Sequence, residues 1–375
     1  LELQGGWGGG RVVGTIGLNF NNFSARNIWN KKAWRPLPSG DGQTISLRAQ
    51  TNGSFFQSYS VSFTEPWLGG KKPNSLTLSV FHNVQTNGLP KGHANRQALQ
   101  ITSISAGLGR RLKWPDDYFT LYTALEYQIF NLQKYQTGFL AFNDGRANSL
   151  NLKLVLGRNN TDVPIFPTKG SNFSLTLEVT PPFTLMNGQD LRGAEDSKKY
   201  RWIEYHKWKF SGSWFSQIAK NFVLRTHMEF GVLGFFNPDI GLPPFERFFV
   251  GGDGLQNFVI DGREIIGLRG YPNNSLSGSN GDPLYTKFIF EFRYLISPNP
   301  QAQIFALAFA EGGNSYRQFE EFNPFLIKRS AGIGIRIFMP MFGLLGIDFG
   351  HGFDPIPGAA TPSGWQTHFI IGQQF

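Results

Sequence analysis

Hydrophobic and polar residues alternate along most of the chain with a period of two. In SLTLSVF, Leu76, Leu78 and Val80 fall on one face, and Ser75, Thr77 and Ser79 on the other. NFSLTLEV sets Phe173, Leu175, Leu177 and Val179 against Ser174, Thr176 and Glu178. FVLRTHMEFGV sets Phe222, Leu224, Met228 and Phe230 against Arg225, His227 and Glu229. YTKFIFEFRY sets Phe288, Phe290 and Phe292 against Lys287, Glu291 and Arg293. SAGIGIRIF sets Ile333, Ile335 and Ile337 against Gly332, Gly334 and Arg336. Each segment predicts a strand with one oily and one polar face.

Template matching gives roughly sixteen such segments. They begin near Val12, Thr44, Tyr59, Leu76, Leu99, Phe119, Leu150, Phe173, Trp202, Phe222, Phe245, Phe288, Phe305, Ile333, Leu344 and Phe369. Connections alternate between short and long, and the long ones are rich in Gly, Pro, Asn and Asp. Residues 190–200 could hold a short helix. No domain-sized linker interrupts the series, so residues 1–375 read as one domain.

A soluble sandwich would bury the oily faces between two sheets. A membrane barrel turns them to lipid and lines a lumen with the polar faces. The polar faces here carry Arg, Lys, Glu and His in mid-strand, and aromatics crowd strand ends (Trp67, Phe81, Tyr118, Trp202, Trp214, Trp365). Both features favour the barrel. A mean hydropathy of −0.24 is compatible with it, because alternation averages out.

Composition adds exclusions. There are no cysteines, so disulfides and thiolate metal sites are absent. The six histidines, His82, His93, His206, His227, His351 and His368, lack metal-ligand spacing. The charge is 35 − 26 = +9, but no dense Lys/Arg run forms a nucleic-acid track. DFGHGFD places His351 near Asp348 and Asp354 without a nucleophile, so no enzyme is expected. GGWGGG lacks the Lys-Ser/Thr of a phosphate loop. No cofactor and no metal are implied.

Several motifs resemble one family. GLRGY resembles the [VL]-R-G-[FY] tip of the long sixth external loop in the barrels of BamA-type insertases, within the wider BamA/TamA/Sam superfamily. FFVGGDG resembles the approach to that tip, FEFRY the Glu-bearing twelfth strand, and FAEGG the F-x-D-x-G motif of the thirteenth, with Glu311 where Asp is usual. THFIIGQQF resembles the terminal strand, and SFTEPWLGG the third strand and its turn. Spacing and loop lengths resemble the Bacteroidetes branch. The resemblance implies an all-β, 16-stranded antiparallel transmembrane β-barrel with a long sixth external loop folded inward. It implies POTRA domains upstream of residue 1 and an integral place in the outer membrane of a Gram-negative bacterium. It implies insertion of client outer-membrane β-barrel proteins by lateral opening and strand augmentation. The partners implied are those clients, periplasmic and lipoprotein subunits of an assembly complex, and outer-membrane lipid or lipopolysaccharide. A related two-partner-type polypeptide translocase and a passive porin-like channel are the alternatives.

Two sets of residues carry these expectations. The first is the loop tip Gly267, Leu268, Arg269, Gly270 and Tyr271. Glycines allow a tight turn and close backbone approach, and arginine offers a planar five-donor fork suited to carboxylates. The resemblance implies that Arg269 pairs with Glu291 and Glu311. Strand parity adds Asp348, opposite Leu345, Ile347 and Phe349. Glu311 shares parity with Phe305, Leu307 and Phe309, so either those aromatics point inward or a bulge shifts the register. The second set is a seam. The glycine-loaded GGWGGGRVVGTIGLNF is read as strand one, with Val12, Gly14, Ile16, Gly17 and Leu18 at the seam. Phe369, Ile371, Gly372, Gln373 and Phe375 are placed on the facing last strand. Interior glycine weakens a strand, and a parted edge would offer backbone groups to a guest strand.

Overall fold

The computed structural model describes residues 2–8, 11–70, 72–136, 142–253, 263–340 and 343–371, with side chains placed from Gly14 to Ile370. Alternation becomes strand wherever the sequence shows it: β1 (Glu2–Gly8), β2 (Arg11–Phe23), β3 (Gln43–Thr51), β4 (Phe56–Glu65), β5 (Ser75–Thr86), β6 (Ala98–Arg111), β7 (Phe119–Gln133), β8 (Gly145–Asn159) and β9 (Lys169–Val179). Two short helices, α1 (Phe183–Asn187) and α2 (Asp196–Lys199), precede β10 (His206–Ala219) and β11 (Phe222–Gly234). After β12 (Phe248–Val250) and β13 (Glu264–Ile266) come β14 (Leu284–Ser297), β15 (Gln303–Tyr316), β16 (Lys328–Met339), β17 (Gly343–Pro355) and β18 (Pro362–Ile371). Sixteen of these form one antiparallel sheet in chain order, and β12 and β13 make a separate parallel pair inside the β11–β14 connection. The sheet is the wall of a β-barrel, with an expected count of sixteen strands and sixteen observed among the described residues.

That agreement hides two compensating differences. The segment near Phe245 is not wall: its residues 248–250 lie inside the barrel, all buried. The glycine-rich segment read as strand one is two strands, because the chain reverses between Gly8 and Arg11, which face each other in the β1–β2 ladder. Glycine has no side chain to show parity, so a hairpin inside a glycine run looks like continuous alternation.

The seam placed on Val12, Gly14, Ile16, Gly17 and Leu18 is therefore corrected: all five belong to the second strand. Gly14 pairs with Gly5 of β1 and Thr51 of β3, Ile16 with Leu3 and Ala49, and Gly17 with Glu2 and Arg48. Val12 pairs with Trp7, and Leu18 with Leu47. The outer strands of the sheet are β1 and β18. On β18, Phe369 pairs with Ile347 and Ile371 with Leu345 of β17. Gly372, Gln373 and Phe375 lie outside the described residues.

The oily faces point outward as expected. Phe290, Phe292, Ile333 and Phe369 are each more than half exposed on the outer wall, whereas Glu291, Arg293, Arg336 and His368 are buried inside. Phe81, expected in an aromatic girdle, instead faces inward against the core. The largest apolar cluster is within the barrel, where residues of the 180–205 and 235–283 connections pack on inward faces of β6 and β7. The connections at the opposite end include residues 220–221 and 298–302. We call these the loop end and the turn end.

Candidate functional site: a loop tip held inside the barrel

The β11–β14 connection runs into the lumen. Its backbone doubles back on itself: Gly252 and Leu268 exchange hydrogen bonds at 3.0 Å in both directions. The turn that follows places Gly270 at φ +83°, a conformation costly for residues with a Cβ. Space is as restrictive as conformation. A Cβ on Gly270 would lie 2.7 Å from the Ser330 Cβ and 2.9 Å from the Gly352 nitrogen. The wall is shaped to match: a Cβ on Gly350 would come within 2.8 Å of the Gly270 nitrogen, and Gly352 faces Gly270 even more closely. Gly267 has no such φ, and its constraint is the Gly252 carbonyl, 3.2 Å from a built Cβ. Leu268 and Tyr271 are fully buried, and the Tyr271 hydroxyl donates to the Arg329 carbonyl at 2.7 Å. Burial pushes that hydroxyl up to about 12.

Arg269 reaches all three carboxylates named from the sequence. Its Nε donates to Glu311 at 2.6 Å, Nη1 to Asp348 at 3.0 Å and Nη2 to Glu291 at 3.2 Å. Its backbone N–H also donates to Glu311, at 2.9 Å. The guanidinium lies 3.6 Å from the centre of the Phe309 ring, within range of a cation–π contact. Burial alone would lower the Arg269 pKa; Glu311, then Glu291 and Asp348, outweigh it and hold the cation protonated.

The parity question at Glu311 resolves in favour of inward aromatics. Phe305, Leu307, Phe309 and Glu311 are all buried, while Ala308 and Ala310 between them are exposed. The β14–β15 register runs unbroken past Glu311 and shifts only at Leu295–Ser297. Phe309 is inward because it forms the floor beneath Arg269.

The three acids are not equally dependent on Arg269. Glu291 also accepts from Arg225 at 3.1 Å and from Arg293 at 2.8 Å, and Asp348 accepts twice from Arg336 at 2.6 Å. Among the described residues, Arg269 is the only cation on Glu311.

Several contributors were not singled out in the sequence. The Gly270 N–H donates to His368 Nε2 on β18 at 2.8 Å. Asp253, at the base of the loop, accepts from the backbone N–H of Phe369 on the same strand at 3.0 Å. A second anchor holds the loop's other side: Lys207, buried on β10, contacts Glu246 at 2.9 Å and Glu264 at 2.5 Å, and Lys209 contacts Glu264 at 2.8 Å. Glu246 adopts φ +71°, backbone strain that the surrounding contacts must offset. Inward parity on β10 was the available signal for Lys207 and Lys209. Of their acidic partners, Glu246 lies in irregular loop and Glu264 opens the three-residue β13, too short for periodicity to show. A cavity of about 480 Å³ is lined by the tip's charged groups, among them Arg269, Glu291, Glu311, Asp348 and Asp253, and not by the second anchor.

With that geometry in place, comparison with known proteins is informative. The model of the Omp85 superfamily domain matches residues 39–375. The chain belongs to the Omp85 superfamily. Proteins of this superfamily that resemble BamA are integral β-barrels of the Gram-negative outer membrane, and so is this chain. Its Omp85 domain is similar to outer membrane protein assembly factor BamA of Neisseria meningitidis serogroup B, 24% identical over 266 residues. That alignment covers 66% of this chain and 28% of the relative, so the chain matches little more than a quarter of that protein's length. The Omp85 fold is shared with BamA from Haemophilus ducreyi lacking POTRA domains 1–3, at TM-score 0.68 and 17% identity over 98% of this chain and 68% of that one. It is shared more distantly with CdiB from Escherichia coli, at TM-score 0.55 and 13% identity over 96% and 58%.

Proposed function

We propose that this barrel is the membrane domain of an insertase that folds client β-barrel proteins into the outer membrane by parting β1 from β18. One observation supports this most directly. The inward loop contacts the last strand through its backbone: Asp253 holds the Phe369 N–H, and His368 holds the Gly270 N–H. A strand edge with backbone groups available is the template for strand addition, and unpaired backbone facing lipid is costly enough to favour pairing with a guest. The loop is thus positioned to influence the edge a client would use. Upstream POTRA domains would deliver clients, with accessory subunits of an assembly complex around them. Nucleotides and covalent chemistry have no role in this mechanism.

The likeness to CdiB supports a second reading, export of an unfolded polypeptide past the same loop. An engineered disulfide separates the two, and the barrel holds no cysteine of its own to compete for the pair. Cysteines in β1 and β18, oxidised in cells that depend on this protein, are expected to stop growth, with recovery on reduction. Growth of the locked strain at the normal rate would rule out insertion through this seam.

A further inference from the structure

We infer that the turn end beneath β2–β7 is a binding surface for acidic phospholipid, with an acyl chain held on the outer wall around Ala106. The inference requires only that the chain is an outer-membrane barrel and is independent of the insertase reading.

Three turn-end connections lie along neighbouring strands: residues 24–42, 66–74 and 112–118. Each displays tryptophan. Trp29 is 92% exposed, Trp114 82%, Trp67 54% and Trp34 46%. Beside them stand exposed Arg26, Lys31, Lys32, Arg35, Lys72, Arg110, Arg111 and Lys113. Against these eight cations stand three acids: Asp116, which is paired with Arg158 at 2.8 Å, Asp41, which accepts from Ser24 at 2.6 Å, and exposed Asp117. The surface is therefore strongly cationic. Indole and cation together suit the headgroup layer, where amphipathic rings settle and basic side chains meet anionic lipid.

The opposite side of the barrel is poor in this chemistry, with Lys220 of residues 220–221 standing as a single exposed cation without tryptophan. Residues 298–302 and 340–342, which join β14 to β15 and β16 to β17, contain no Lys, Arg or Trp. The asymmetry sets the patch apart from an aromatic girdle running around the whole circumference.

The outer wall above the patch is notched. Ala106 is flanked by Leu78, Val80, Ile104 and Leu125, forming an apolar groove of about 530 Å³ that spans β4 to β8. From Ala106 to Arg110 and Arg111 is four to five residues of extended strand, roughly 15 Å. That span suits a chain in the groove with its phosphate at the cations. Charge selects the headgroup, and the groove selects an acyl chain.

Full-length protein, equilibrated with equal amounts of phosphatidylglycerol and phosphatidylcholine of matched chains, is examined by native mass spectrometry. Preferential retention of phosphatidylglycerol is expected. The Arg110→Gln/Arg111→Gln/Lys113→Gln variant should lower that preference by roughly tenfold or more. Ala106→Trp, which fills the groove, should reduce retention of both lipids. Far-UV circular dichroism checks that each variant is folded; all four positions are exposed. Equal retention of the two lipids by the wild type overturns the inference. So does displacement of phosphatidylglycerol by inorganic phosphate alone, which would indicate a simple anion site. An unchanged preference in the triple variant would assign the cations to a protein partner, and unchanged retention in Ala106→Trp would remove the groove.

Discussion

Arg269 joins three acids, but its loss should be felt mainly at one. Glu291 and Asp348 keep other arginines, whereas Glu311 keeps none among the described residues. Removing one partner of a buried ion pair typically costs about 3–5 kcal/mol, mostly through the charge left behind. Arg269→Ala should therefore release the loop to added protease and reduce thermal stability. Arg269→Ala combined with Glu311→Gln should be distinctly less damaging than the two changes summed. Strict additivity in that double-mutant cycle would show that Glu311 is not the stranded group. Arg269→Lys keeps the charge and loses the fork, so it should rescue only in part. Of these partners, Asp348 was readable from strand parity, whereas the pairing with Glu291 and Glu311 was implied by the resemblance, and parity alone spoke against Glu311. The glycine notch of Gly350 and Gly352 was not readable, since only the docked tip reveals what an absent side chain makes room for.

At the scale of elements, the loop has two anchors of different chemistry: an arginine fork at the tip, and two lysines sharing Glu264 on β13. Burial raises the Glu264 pKa, but Lys207 and Lys209 outweigh it, so the carboxyl titrates below its usual range. A depressed folded-state pKa means this anchor contributes fully above the unfolded value, about 4.3. The contribution fades as pH falls through the lower folded value. Cleavage within the 235–283 connection should stay constant from pH 8 to 5 and rise on further acidification. Glu264→Gln should show the raised cleavage already at pH 7; protection equal to wild type there would remove Glu264 from the anchor. Strands were the legible elements, because period two survives any tertiary context. The segment near Phe245 misled for a physical reason: an apolar run buried by a loop inside a barrel looks like a run buried by a wall.

For the whole molecule, alternation with charges in mid-strand favoured a barrel and gave sixteen strands only through two differences that cancel, while the position of the seam did not follow. Counting could not separate β1 from β2, since the reversal falls where side chains are missing. The correction changes what an experiment should show. A disulfide between β2 and β3 ties strands already laddered from Gly14–Thr51 to Phe20–Ile45. It should leave growth unchanged where the β1–β18 lock arrests it. Arrest by both would mean that general stiffening, not seam closure, is the cause.

The contacts of the loop tip also impose an order in time. Arg269 and Gly270 hold Glu291, Glu311, Asp348 and His368, every one of them downstream in the chain, the farthest 98 residues on. A chain emerging from its N-terminus has made the tip long before it has made the receptacle. Closing so long a loop carries an entropic penalty that nearby contacts avoid. Seating of the plug therefore belongs among the last events of folding. Until β17 and β18 are in place the interior stays unsealed, and a chain ending before Asp348 would never complete it.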